Sequence, residues 1–150
     1  LSDFYNNNVS PDFMSLRQKI SNILQEETKL MEIVKLIGAD VLPDDQKLAI
    51  ETARVVRVGF LQQNAYHKDD TYVPLEKQRL MMKVIVDLYE KSLAALKNGV
   101  PLSDIMATEL FDKAVKIKYD VPNDELKRFN QYFAEIEEKI GGLTVTGGLL

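Results

Sequence analysis

Apolar residues recur at helical spacing along almost the whole chain, and glycine and proline cut the recurrence into blocks. Such a pattern specifies packed helices, and only the C-terminal tail is open to a strand reading. The first block opens at Ser10-Pro11-Asp12, where Ser10 is expected to cap, Pro11 to take the first helical position and Asp12 to meet the positive helix end. Its stripe is Phe13, Leu16, Ile20, Ile23, Leu24, Leu30, Val34 and Ile37, and Gly38 stops it. Pro43, Asp44 and Asp45 signal a second helix, predicted to run to about Tyr66 with Leu48, Ile50, Val55, Val56, Phe60 and Leu61 on its apolar face. Gly59 inside it predicts either a closely approaching neighbour or a bend.

Pro74 opens a third helix carrying Leu75, Met82, Ile85, Tyr89, Leu93 and Leu96, with Gly99 and Pro101 as its stop. The segment from Ser103, a candidate cap, to about Tyr119 is less regular and is predicted to be a short or broken helix. Pro122 and Asn123 open a fifth, whose stripe Leu126, Phe129, Phe133, Ile136, Ile140 is spaced 3, 4, 3 and 4, a seam that suits packing on its own bundle. The fold class predicted is therefore all-α: about five helices with a long helical hairpin, spanning residues 1–140, followed by a Gly-rich tail over 141–150 that is expected to be flexible.

Composition narrows the chemistry. The 150 residues hold 23 acidic and 19 basic side chains, a net charge of −4, which argues against the basic stripe that nucleic-acid binding requires. No cysteine is present, which removes disulfides, thiolate metal sites and cysteine catalysis. No stretch approaches the roughly 18 apolar residues of a membrane-spanning helix, so no direct membrane insertion is expected. Phosphate loops of the G-x-x-x-x-G-K-[ST] type are missing, and one histidine, His67, cannot build a metal site or, without a nucleophile elbow, a triad with Asp69 or Asp70. No catalytic residue and no metal ligand are predicted.

Two segments stand out from this background. Phe60-Leu61-Gln62-Gln63-Asn64-Ala65-Tyr66 sets three adjacent amides between aromatics, a composition suited to a flat, hydrogen-bonding ring such as a nucleobase. Gly38-Ala39-Asp40-Val41-Leu42-Pro43-Asp44-Asp45-Gln46 is an acidic tip joining two long antiparallel helices. On the residues alone, a polar helix end and an ordinary hairpin turn remain open for these, and so does a free-standing adaptor whose fifth-helix seam binds a partner helix.

Read together, the segments resemble the C-terminal helical domain of the catalytic A (alpha) subunit of V-type and A-type rotary ATPases. The resemblance rests on Asp12-Phe13-Met14-Ser15-Leu16-Arg17, Ile23-Leu24-Gln25-Glu26-Glu27, Glu32 to Gly38, Ala39-Asp40-Val41-Leu42-Pro43, the F-L-Q-Q-N-A-[FY] block at 60–66, Asp70-Thr71-Tyr72 and Pro74-Leu75-Glu76-Lys77-Gln78, in the family's order over about 130 residues. It implies a piece of a longer subunit, whose upstream β-barrel and nucleotide-binding domain carry the phosphate loop, so that this part alone is expected to hydrolyse no ATP. It also implies that Gln62, Gln63, Asn64 and Ala65 line the adenine pocket for ATP or ADP with Mg in the full-length subunit, with Tyr66 on the base and Phe60 behind. Asp40, Leu42, Pro43, Asp44 and Asp45 are the implied rotor contact, on the analogy of the acidic lever of F-type β subunits. The implied partners are B subunits of the catalytic hexamer and central-stalk subunits, in a cytoplasmic complex peripheral to the membrane that transports ions, with protons the expected ion. Val58-Gly59 and the Gly-rich end depart from the family pattern.

Overall fold

A computed structural model describes residues 10–61 and 72–143. Helix α1, Phe13–Ile37, buries Phe13, Leu16, Ile20, Ile23 and Leu30, the stripe read from the sequence. It starts later than expected: Asp12 is the N-cap residue and no side chain caps the helix. The reason is tertiary, because the Asp12 carboxylate lies 3.3 Å from Arg79 of the third long helix and pins the start of α1 there. At the other end Gly38, at φ 87°, adopts a conformation disfavoured for other residues, and its N–H donates to Val34 O at 2.9 Å.

A tight turn at Ala39–Val41 leads to α2, Asp44–Val55, antiparallel to α1 in the hairpin. The second helix does not continue as a regular helix toward Tyr66. From Val56 to Leu61 it widens into a π-helix, the last described residues before position 72. Beyond it, α3 spans Leu75–Lys97 and packs on α1, α2 and the C-terminal helix. Its end closes as a Schellman motif: Gly99, at φ 92°, donates to Leu96 O at 3.0 Å and Val100 N–H to Ala95 O at 3.0 Å, with Val100 buried.

The irregular fourth segment is broken into α4 Leu102–Met106, α5 Leu110–Val115 and α6 Ile117–Asp120. Glu109, at φ 63°, makes the first break. Ser103 does not cap α4; the N-cap position is Pro101, and the Leu102 N–H is instead satisfied by the Asp44 carboxylate at 3.1 Å, reaching across from the start of α2. A 3₁₀ turn, Leu126–Arg128, precedes α7, Phe129–Gly141, so the fifth helix begins later than Pro122. Phe129, Tyr132, Ile136 and Ile140 of α7 are buried and join the main core, with α3 as its principal neighbour. The adaptor reading is thereby corrected: the seam is consumed by this chain's own α3.

Among the described residues every regular element is helical, so the all-α expectation holds. Two apolar cores share the work. The larger joins all the α-helices around Leu48, Val56, Met82, Ile85, Phe111 and Phe129. The smaller consists of Leu30, Leu42 and Ala49 near the hairpin tip, with Val34, Ile50 and Tyr89 against it, and Tyr89 also packs on the larger core. Of the tail, Gly141 closes α7, Leu143 packs on the larger core, and residues 144–150 lie outside the described residues.

Candidate functional site

The amide-rich block follows α2 in the sequence, and α2 ends irregularly before it. A regular helix bonds each N–H to the fourth residue back, whereas a π turn bonds to the fifth and opens the spiral. At Val56–Leu61 the wider turn coincides with a close approach: a β-carbon at position 59 would lie 2.9 Å from Val115 Cα and 3.0 Å from Val115 O. The close neighbour anticipated at Gly59 is therefore present, and the helix around it is a π turn rather than a regular one.

Ion pairs hold this turn and the residues just before it. Arg57 Nε and Nη2 donate to both oxygens of Glu27 on α1, the shortest bond being 2.7 Å, and the Glu27 side chain is only 11% exposed. Arg54 bridges Glu51 and, at 3.3 Å, Asp112 of α5. Arg57→Met is expected to lower the stability of the domain by about 1–3 kcal/mol, because it leaves a nearly buried carboxylate without its partner. Adding Glu27→Gln should recover part of that loss in a thermal melt, and a strictly additive pair of losses would contradict the coupling.

Position 72, where the description resumes, is tied down too. Lys77 is fully buried, and its Nζ donates to Lys118 O and to Asn123 Oδ1, both at 2.8 Å. Asn123 Nδ2 in turn donates to Tyr72 O at 3.0 Å, while Gln78 Nε2 holds Val73 O at 2.9 Å. Sequence reasoning gave neither Lys77 nor Asn123 a part in the site. A signal existed for the lysine, since it precedes the buried Met81, Val84 and Leu88 at intervals of 4, 7 and 11, on the inward stripe of α3.

Of the expected adenine-side residues, Phe60 is half-buried against the larger core, and Gln62, Gln63, Asn64, Ala65 and Tyr66 lie outside the described residues. His67, Asp69, Asp70 and Thr71 lie outside them as well. Leu61, Val58 and Tyr72 are exposed on either side of the break.

At the hairpin tip Asp40, Pro43, Asp44 and Asp45 are exposed, as anticipated for a projecting acidic turn. Leu42 is not: it is 5% exposed, turned inward onto Leu30 and Ala49. Nor is the tip mainly acidic. Leu36, Ile37 and Val41 stand 83%, 62% and 58% exposed, and Ile33 joins them, because α1 outruns the bundle in its last two turns. Ile37, expected on the core stripe of α1, thus belongs to the outer surface. Beside the tip, a groove between α1, α2 and α3 is lined by Lys19, Glu26, Asp45, Tyr89, Glu90 and Lys97. Burial, with the charges of Glu26, Asp45 and Glu90, pushes the Tyr89 phenol above its ordinary range, so it remains a neutral hydroxyl. Lys19 pairs with Glu90 at 3.0 Å.

Among the described residues no cluster of His, Asp or Glu is arranged to hold a metal ion. No helix among them is long and apolar enough to cross a membrane.

Comparison with known proteins gives one consistent answer. The family model for the C-terminal domain of V and A type ATP synthase matches residues 2–106. The V-type ATP synthase alpha chain 2 of Clostridium tetani is 47% identical, over 93% of this chain and 25% of its own length. The V-type ATP synthase alpha chain of Halothermothrix orenii is 45% identical over 92% of this chain and 23% of its own, and the A subunit of the A-type ATP synthase of Methanosarcina barkeri 39% over 95% and 24%. The chain spans about a quarter of the length of the curated relatives it matches.

Proposed function

The chain belongs to the family of C-terminal domains of V and A type ATP synthases, and on that premise we propose that it closes the adenine side of a nucleotide site and carries ATP-driven movement to a central stalk for ion transport. The residues assigned to the base are Gln62, Gln63, Asn64, Ala65 and Tyr66, with Phe60 behind them. Stacking on Tyr66 and hydrogen bonds to the amides hold the ring, while the phosphates and Mg belong to a phosphate loop supplied by the upstream part of the subunit. Binding energy spent on the base is uniform between ground and transition states, so this segment sets affinity rather than the chemical step.

Movement is positional. Nucleotide binding favours the closed subunit, the helical body swings as a unit, and the hairpin tip bears on the stalk. The observation that carries this reading is the tip itself: Leu36, Ile37, Val41 and Asp40 project past the bundle, while Leu42 braces the turn from inside. B subunits and central-stalk subunits are the proposed partners, and proton transport the proposed output, in a complex peripheral to the membrane.

The test is single-molecule rotation of the assembled complex with residues 39–45 replaced by a short glycine linker. Torque is expected to fall sharply while nucleotide affinity stays near its starting value. Unaltered torque in a correctly assembled complex would refute the lever role.

A further inference from the structure

We infer that Asp44 is a latch within this chain: its carboxylate, carried on the first turn of α2, holds the start of α4 and makes the order of α4 depend on where the hairpin stands. That is a different role from the rotor contact that resemblance implies for Asp44.

α4 needs outside support. It has five residues, Leu102–Met106, too few for internal bonds to offset the cost of fixing its backbone. Its N-cap residue is Pro101, and no side chain of its own start caps it. The Asp104 N–H donates to Pro101 O at 3.1 Å, whereas the Leu102 N–H has the Asp44 carboxylate, 58 residues back in the chain and 3.1 Å away. Ile105, fully buried in the larger core, secures the far side of α4. The short helix thus stands on one apolar support from the core and one polar support from the hairpin.

The polar support can open. A cleft lies between the start of α2 and the end of α3, lined by Asp44 and Asp45 on one side and Leu96, Lys97, Gly99 and Pro101 on the other. The bond from Leu102 to Asp44 is exposed to solvent, so water replaces both partners when it parts, and a retreat of about half an ångström ends it as a hydrogen bond. What holds Asp44 in place is the small core: Leu42, two residues before it, and Ala49 in the same helix pack with Leu30. Displacing the hairpin tip therefore moves the acceptor away from α4. That load on the tip supplies the displacement rests on the lever reading; the latch itself does not.

Amide hydrogen exchange in the full 150-residue chain, read by NMR, is the test. Asp44→Ala is expected to speed exchange at Leu102 about tenfold, the factor that losing a bond to a charged acceptor represents. Asp45→Ala removes the neighbouring acid of the same turn and should leave Leu102 within about twofold, since only the helix-end charge is lost. Asp44→Asn keeps an acceptor oxygen and should fall between the two. Leu30→Ala tests the coupling, because it loosens a core that contains no residue of α4: Leu102 should accelerate together with the amides of 39–45 while Phe111 stays slow. Leu42→Ala loosens the same core from the turn and should give the same pattern. An unchanged Leu102 in Asp44→Ala, or equal acceleration in Asp45→Ala, overturns the latch. Leu102 staying slow in both core variants while the hairpin amides accelerate overturns the coupling. None of these outcomes involves rotation, so they are distinct from failure of the lever reading, which torque decides.

Discussion

Replacing Lys77 by alanine is expected to destabilise this domain by about 3–5 kcal/mol, through a cavity where the long side chain was and through the bonds lost at Lys118 O and Asn123 Oδ1. For a domain near this size each kcal/mol moves the melting midpoint by about 2–4 °C, so the midpoint should fall by roughly ten degrees. Lys77→Met, which keeps most of the volume and removes the charge, should lose less, about 1–3 kcal/mol. Thermal melting followed by circular dichroism checks both. A midpoint for the alanine variant within about a degree of the parent would show that the buried lysine is dispensable.

Leu30→Ala should act elsewhere. Leu30 is 3% exposed and is one of three buried residues in the small core at the tip, so its truncation is expected to cost about 2–5 kcal/mol. With so few contacts nearby to absorb it, the cost falls on the far half of the hairpin. Native-state hydrogen exchange should accelerate for amides around 30–50 and remain slow around Met82, Ile85 and Phe111 of the large core. Uniform acceleration across α3 and α5 would instead mean that the two cores melt as one unit.

The helical architecture was readable because its determinants are local. Gly38 and Gly99 both take the positive φ that their positions after an apolar stripe suggested. The irregular spacing between Ser103 and Tyr119 likewise corresponds to real breaks, at Glu109 and Lys116. What escaped the sequence depends on partners far along the chain. The Asp44 carboxylate that serves Leu102 comes from 58 residues away, and it displaced the expected Ser103 cap. Lys77 escaped because a charged residue on an apolar stripe is ordinarily read as an interruption, whereas here oxygens of Lys118 and Asn123, more than 40 positions downstream, accept hydrogen bonds from its ammonium.

The π turn was hidden for another reason. Buried Thr52, Val56 and Gly59 continue the inward face at intervals that a regular helix would also satisfy, and the shift of the backbone bonds from the fourth to the fifth residue back leaves no mark in that spacing. The block at 60–66 reads as a composition suited to a ring and, through resemblance, as an expected adenine edge, but past Leu61 it lies outside the described residues. At the tip the acids drew the eye, yet Leu36 and Ile37 carry most of the exposed apolar surface. Their spacing from Ile33, at 3 and 4 residues, makes a second stripe that a search for one core-facing stripe passes over.

The two unequal cores also bear on the mechanics of the hairpin. Clamped at its base by the large core and braced beyond Tyr89 by Leu30, Leu42 and Ala49, the helix pair has the stiffness profile of a leaf spring fixed at one end. A sideways load at Val41 bends the outer part first, where few side chains bond the two helices laterally, and reaches the base through Tyr89 and the backbones of α1 and α2. With Leu30, Leu42 and Ala49 buried between the outer helix ends and Val34, Ile50 and Tyr89 packed against them, changes in the volume of those side chains would alter the stiffness of the hairpin.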